Sequence, residues 1–276
     1  MPALAPGLAR MDLSPHRDSM PSRTGASRGA GRVGVASALA LAVGLFFAAA
    51  ARAQTQLWAN LTFDRVKSDR LLYELDFEPK TLINVPPGET GWGNLDVTPS
   101  VAFSATRWLD LTSELTAGYT HQTDDLKSVE LTPRVGAEFH ILSRLAATRE
   151  HPPKRRLALA NYFRIEWRNF FYSDAEPDAS SWRFRNRLGC TFALNRPKHT
   201  DDGAYYVITD FEWFLPLSDP AERFSNRHRF RTGLGHRRSF NWRFEVLYMW
   251  TRSRDTIDEP FKRAESMIDV RVKRFF

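Results

Sequence analysis

Two histidines lie close to carboxylates in this 276-residue sequence. His121 precedes Asp124 and Asp125 in a polar stretch, and His140 follows Glu138 by two positions. A histidine oriented by a carboxylate is the base half of a hydrolytic site, which still needs a nucleophile or an activated water beside it. No serine stands in a clear relation to either histidine. His121, Asp124, Asp125 and His140 are therefore the candidates for an outer-rim hydrolase, and the same residues suit a polar loop and a strand face. His199, His228 and His236 are scattered, and His151 heads the basic run Pro152-Pro153-Lys154-Arg155-Arg156. One cysteine, Cys190, excludes an internal disulfide framework and any cysteine-rich metal site. No phosphate-cradling loop, metal-ligand cluster or internal repeat is present, so neither cofactor nor metal is expected.

Most of the charge has a different organisation, recurring at every second position. Arg183, Arg185 and Arg187 alternate with Trp182, Phe184, Leu188 and Phe192. A period of two puts the two sets on opposite faces of a β-strand. Glu74, Asp76 and Glu78 oppose Tyr73, Leu75 and Phe77, while Asp110 and Glu114 oppose Leu109, Leu111 and Leu115. Glu130, Arg134 and Glu138 share a face with His140; Arg164, Glu166 and Arg168 oppose Phe163, Ile165 and Trp167. Asp210 and Glu212 face away from Phe211 and Trp213, as do Arg229 and Arg231 from Phe230, and Arg243 and Glu245 from Phe244 and Val246. Asp269, Arg271 and Lys273 close the series against Ile268, Val270 and Val272. A weaker opening segment sets Leu57, Ala59, Leu61 and Phe63 against Asn60, Thr62 and Asp64.

These segments, with one around Asp96 and Val97, predict an all-β chain joined by turn-rich connections such as 84–91, 174–178 and 255–260. A secreted, soluble β-sandwich binding protein would also alternate. Three features favour a transmembrane, antiparallel up-and-down barrel instead. The segments approach the about 9–11 residues that a tilted strand needs to cross a bilayer. Aromatics (Trp108, Tyr119, Trp167, Trp182, Trp213, Trp242 and Trp250) sit at segment ends, as in interfacial girdles. The chain also ends on Phe276 directly after an alternating segment. Eleven segments are visible, but single-chain bacterial barrels have even numbers. Twelve strands are therefore expected, with ten the other possibility; a missed strand belongs near Ser143 to Arg156. In this register charge lines the lumen, acids in the N-terminal half and bases in the C-terminal half. Such a lumen is either filled by its own ion pairs or open as a porin-like, small-solute channel.

Residues 1–32 are rich in Pro, Ser, Gly and Arg, and Val33 to Ala51 is uncharged and apolar. With Ala51-Arg52-Ala53 closing it, the segment 1–53 reads as an N-terminal extension and signal peptide cleaved before a 54–276 barrel. The formal charge of +7 shrinks accordingly, because 54–276 carries 33 basic and 30 acidic residues. Basicity thus gives no reason to expect nucleic acid as a partner.

The end Met267-Ile268-Asp269-Val270-Arg271-Val272-Lys273-Arg274-Phe275-Phe276 resembles the C-terminal signal read by the outer-membrane barrel assembly machinery, with Ile268, Val270, Val272 and Phe276 at its apolar positions. Arg274 departs from that pattern. Leu57-Trp58, Leu71-Leu72-Tyr73-Glu74-Leu75-Asp76-Phe77 and Phe163-Arg164-Ile165-Glu166-Trp167-Arg168 resemble a proteobacterial family, the domain of unknown function numbered twenty-four ninety. The resemblance covers 54–276. It implies a Gram-negative outer-membrane barrel in contact with lipid and lipopolysaccharide, and it carries no activity.

Overall fold

The computed structural model describes residues 55–83, 91–122, 127–142, 156–173, 177–218, 226–254, 260–261 and 263–276. The expected leader 1–53, the candidates Asp124 and Asp125, and the 143–155 stretch lie outside the described residues.

Alternation becomes eleven strands. They are β1 (Thr55–Ser68), β2 (Leu71–Leu82), β3 (Trp92–Thr106), β4 (Leu109–Gln122), β5 (Lys127–His140), β6 (Leu157–Tyr172), β7 (Ala179–Ala193), β8 (Ala204–Pro216), β9 (Arg227–Ser239), β10 (Trp242–Ser253) and β11 (Arg263–Phe275). Each pairs antiparallel with its sequence neighbour, and β1 closes the ring by pairing with β11. The result is one closed sheet, so the two-sheet sandwich is overturned.

The closing pair also corrects the strand number and the purely antiparallel topology. β1 and β11 run parallel, in register from Thr55↔Ser266 to Asp64↔Phe275. An even count is required only if the first and last strands are antiparallel; a parallel seam satisfies the same backbone groups with an odd number. The opening segment is a full strand, and β5 pairs directly with β6. Eleven, and neither twelve nor ten, is the number. Thr55 consequently enters at the rim opposite Phe276. The Phe276 rim carries the two-residue turns 69–70, 107–108 and 240–241. Arg237, Arg238 and Ser239 belong to β9.

Side chains sort by parity. Every strand presents at least one large apolar residue outward, among them Leu61, Tyr73, Phe103, Leu115, Val135, Ile165, Leu188, Leu215, Phe230, Val246 and Val270. The inward positions of the same strands are buried and largely polar: Thr62 and Asp64, Glu166 and Arg168, Asp210 and Glu212, Arg229 and Arg231. No described helix is long and apolar enough to cross a membrane.

Candidate functional site: the charged lumen

The inward faces enclose a cavity of about 600 Å³. Acids from β2 to β5 (Glu74, Asp76, Glu78, Asp96, Asp110, Glu114, Glu130 and Glu138) line one side. Bases from β6 to β11 (Arg164, Arg168, Arg183, Arg185, Arg187, Arg229, Arg231, Arg243, Arg271 and Lys273) line the other. The register sets many opposite charges side by side on adjacent strands, as in Glu114↔Arg134, Arg134↔Glu166, Glu166↔Arg183, Arg187↔Glu212 and Asp210↔Arg231, so neighbouring strands supply most of the counter-ions.

Glu166 is the centre of that exchange. Its carboxylate has no solvent exposure and accepts Arg183 Nε at 2.6 Å, Arg185 Nη1 at 2.9 Å and Arg164 Nη2 at 2.8 Å, with Arg134 Nε at 3.6 Å. Arg183 Nη2 contacts the same oxygen as its Nε. Arg185 continues to Glu212 Oε1 at 2.6 Å, and Arg229 lies 3.8 Å from Glu212 Oε2. A buried carboxylate is tolerated only when its lone pairs are used this fully. Between these groups stands Phe214, 1% exposed, with the guanidinium carbons of Arg183, Arg185, Arg227 and Arg229 at 5.3, 4.4, 4.6 and 5.2 Å from its ring centre. Its π-face gives crowded cations a favourable neighbour that adds no charge.

The other predicted lumenal residues join smaller sets. Glu114 accepts Tyr162 Oη at 2.7 Å and Arg164 Nη1 at 3.1 Å, with Arg134 Nη1 at 3.6 Å. Arg168 grips Glu130 with Nε at 2.8 Å and Nη2 at 3.2 Å. Arg231 donates to Asp210 at 2.7 Å, and Arg271 to Asp269 at 2.6 Å. Glu245 accepts Tyr206 Oη at 2.8 Å and lies 4.0 Å from Arg243 and 3.9 Å from Arg271. Lys273 bridges Glu74 at 2.5 Å and Asp64 at 3.1 Å; Lys80 bridges Glu78 at 2.8 Å and Asp96 at 2.5 Å. Asp76 keeps one buried carboxylate oxygen without a hydrogen-bond partner. Arg187 lies over the Tyr162 ring at 5.2 Å.

The two histidine candidates are not brought together. His121 is exposed at the β4 rim, on the outward parity of Tyr119. His140 points inward and lies 2.8 Å from Asp110 Oδ2 through Nε2, with Glu138 next to it. Among the described residues no hydroxyl nucleophile is hydrogen-bonded to either ring. His228 and His236 pack against outward aromatics, Phe261 and Tyr205 respectively.

Sequence reasoning missed Trp58, Lys80, Tyr162, Tyr206, Phe214, Leu247, Met249 and Met267. Trp58, Lys80 and Tyr162 line the cavity, and the other five are buried. Parity carried through each full strand would have found them.

A family model described as "Protein of unknown function (DUF2490)" matches residues 55–260. The chain belongs to this family. The DUF2490 match runs from β1 to the residues before β11, so it contains the Glu166 hub and both lysine bridges except Lys273. No curated protein matches the sequence.

Proposed function

We propose that this DUF2490 protein is exported and built into the outer membrane of a Gram-negative bacterium as a barrel plugged by its own ion pairs. It holds a charged chamber instead of an open pore. Export is supported by the apolar stretch Val33 to Ala51 and its small-residue end. Membrane insertion is supported by the outward apolar belt and by strands of 12 to 16 residues, longer than the about 9–11 a bilayer needs. Stacked aromatics, Trp167 on Trp182 toward the Thr55 rim and Trp108 on Phe139 toward the Phe276 rim, suit the two interfaces. Lipid and lipopolysaccharide are then the permanent partners, and Ile268, Val270, Val272 and Phe276 the signal for the assembly machinery.

The observation that carries the plug is Glu166. A carboxylate with no exposure, held by arginines from β5, β6 and β7, supports a lumen filled by its own ion pairs at that level of the wall. The chamber favours a second reading, a narrow porin-like channel, because its opposed acidic and basic walls set a transverse field. Fractionation and liposome swelling separate these. The protein should co-sediment with outer membranes, show heat-modifiable gel mobility, and leave liposomes impermeable to small sugars and amino acids. Swelling at porin-like rates would establish the channel, and recovery from the soluble periplasm would sink both readings.

A further inference from the structure

The outer face of the sheet accepts charge of one sign only. By parity, no outward position on any of the eleven described strands holds an aspartate or a glutamate. Arginine and lysine do face outward, though only near strand ends, as Arg65 and Arg274 do toward the Phe276 rim and Lys127 and Arg252 toward the Thr55 rim. Arg274 is set into an aromatic frame at the closing seam. Its register partners are Phe63 on β1 and Trp242 on β10. Its guanidinium carbon lies 4.5 Å from the Trp242 ring centre and 5.2 Å from that of Phe276. Phe276 stacks in turn on Phe63, and Trp242 on Phe244. The Arg274 side chain makes no ion pair or hydrogen bond with any described residue, and its Nε is buried without an acceptor. The rings favour the cation but accept none of its conventional hydrogen bonds. Arg65, exposed, follows Phe63 by two positions on the same face. Two cations therefore flank the Phe63–Phe276 stack, on a surface where β10, β11, β1 and β2 present no acid.

We propose that Arg274 and Arg65, framed by Trp242 and Phe276, bind the phosphate of an anionic glycerophospholipid at the Phe276 rim. This rests on the membrane-inserted reading above and names a lipid site within it. In that reading the two-residue turns put the Phe276 rim on the periplasmic side, facing glycerophospholipid and not lipopolysaccharide. Girdle aromatics lie at headgroup level, so a guanidinium between Trp242 and Phe276 is at the height of lipid phosphates. Its planar fork matches a phosphate through two parallel N–H···O bonds. Arg65 adds a second positive charge, which favours a net-anionic headgroup over a zwitterionic one that carries its own counter-ion. Arg274 also interrupts the outward series Ile268, Val270, Val272 and Phe276. A lipid-facing charge is costly unless it meets an anion or reaches the interface, and here it does both.

The test mixes the folded full-length protein in detergent with equal amounts of phosphatidylglycerol and phosphatidylcholine and reads the retained lipid by native mass spectrometry. The wild type should retain phosphatidylglycerol in clear preference. Arg274→Leu, which completes the apolar series, should keep heat-modifiable mobility and membrane co-sedimentation. It should nevertheless lower that retention about fivefold, the effect of one basic residue at a lipid surface. Arg65→Ala should lower it less, and Arg274→Lys should recover part of what leucine loses. Arg252→Leu, at the opposite rim, should leave it unchanged. Equal retention of the two lipids by the wild type, or retention indifferent to Arg274→Leu, overturns the site. So does an Arg274-dependent preference for lipopolysaccharide over phosphatidylglycerol, which would put the rim in the other leaflet. A wild type that fails to co-sediment with membranes would sink the membrane reading first, and this site with it.

Discussion

Arg185 lies with Nη1 2.9 Å from Glu166 Oε1 and so ties β7 to β6 inside the barrel. Its Nη2 continues to Glu212 on β8, so one guanidinium spans two carboxylates that are 0% and 2% exposed. Removing Glu166 leaves a buried cluster of arginines with Glu212 beside Arg185 and Glu114 beside Arg164 and Arg134 as the nearest remaining anions. Breaking a buried charge set from one side typically costs about 3–5 kcal/mol. Glu166→Ala should accordingly destabilise the folded barrel by that amount, read as a lower urea midpoint of the folded band by heat-modifiable mobility. A midpoint within error of wild type would remove the hub from the account.

Gly235 sits directly beneath Tyr206, its register partner on β8. A Cβ built at Gly235 would come within 2.1 Å of the Tyr206 ring, which is 1% exposed and anchored by its hydroxyl to Glu245 at 2.8 Å. The ring cannot swing away without giving up that hydrogen bond. Gly235→Val should cost about 1–3 kcal/mol of overpacking. The double variant with Tyr206→Ala should recover part of it. Equal unfolding midpoints for wild type and Gly235→Val would contradict the packing.

The seam has its own latch. The Phe276 amide donates to the Asp64 carbonyl at 2.9 Å, and its ring stacks on Phe63 at 6.4 Å. Phe276→Ala removes the stack and should cost about 1 kcal/mol. A larger effect is expected on yield of folded barrel in membranes, since the last residue holds the closing pair. Full folded yield for a variant lacking Phe276 would show that closure does not depend on it.

His199, in the 194–203 connection at the Phe276 rim, packs edge-on against Tyr206 with ring centres 5.8 Å apart. Burial, reinforced by the positive Arg243, pushes the imidazole down to about 4 from an ordinary 6.5. The folded state therefore holds it neutral. Its stabilising contribution is complete above about pH 6.5 and is lost as pH falls toward 4, because released or unfolded chains take up the proton first. Limited proteolysis of this connection should accelerate across that window, and His199→Gln should flatten the dependence. A pH-independent cleavage rate in the wild type would contradict the buried, neutral ring.

The two-residue period made the barrel legible where charge and grease alternate without interruption, as from Trp182 to Phe192. There the pleat alone decides which side each residue takes. It failed where hydrophobicity and parity conflict. Phe214 and Met249 look like outward residues by type, yet they lie on the inward face among arginines or in the tight β10–β11 wall. Lys80 was hidden by Pro79, which reads as a strand end; β2 nonetheless continues to Leu82, with Pro79 on its outward face. Strand number was illegible for a different reason. Alternation identifies strands but not partners, and only the register of β1 against β11 reveals a parallel closure. The His140 site was half visible: His140 beside Glu138 is a sequence fact, whereas Asp110, opposite Glu138, arrives through β4–β5 pairing.

Single-channel recording in planar bilayers tests the central claim most directly. The wild-type protein, inserted in molar potassium chloride beside a known porin as control, should show no steady open conductance. Glu166→Ala, if it remains folded, should produce ion-selective openings as its arginines lose their common anchor. Long-lived, uniform conductance steps from the wild type would contradict a lumen closed by ion pairs and would make this barrel a channel.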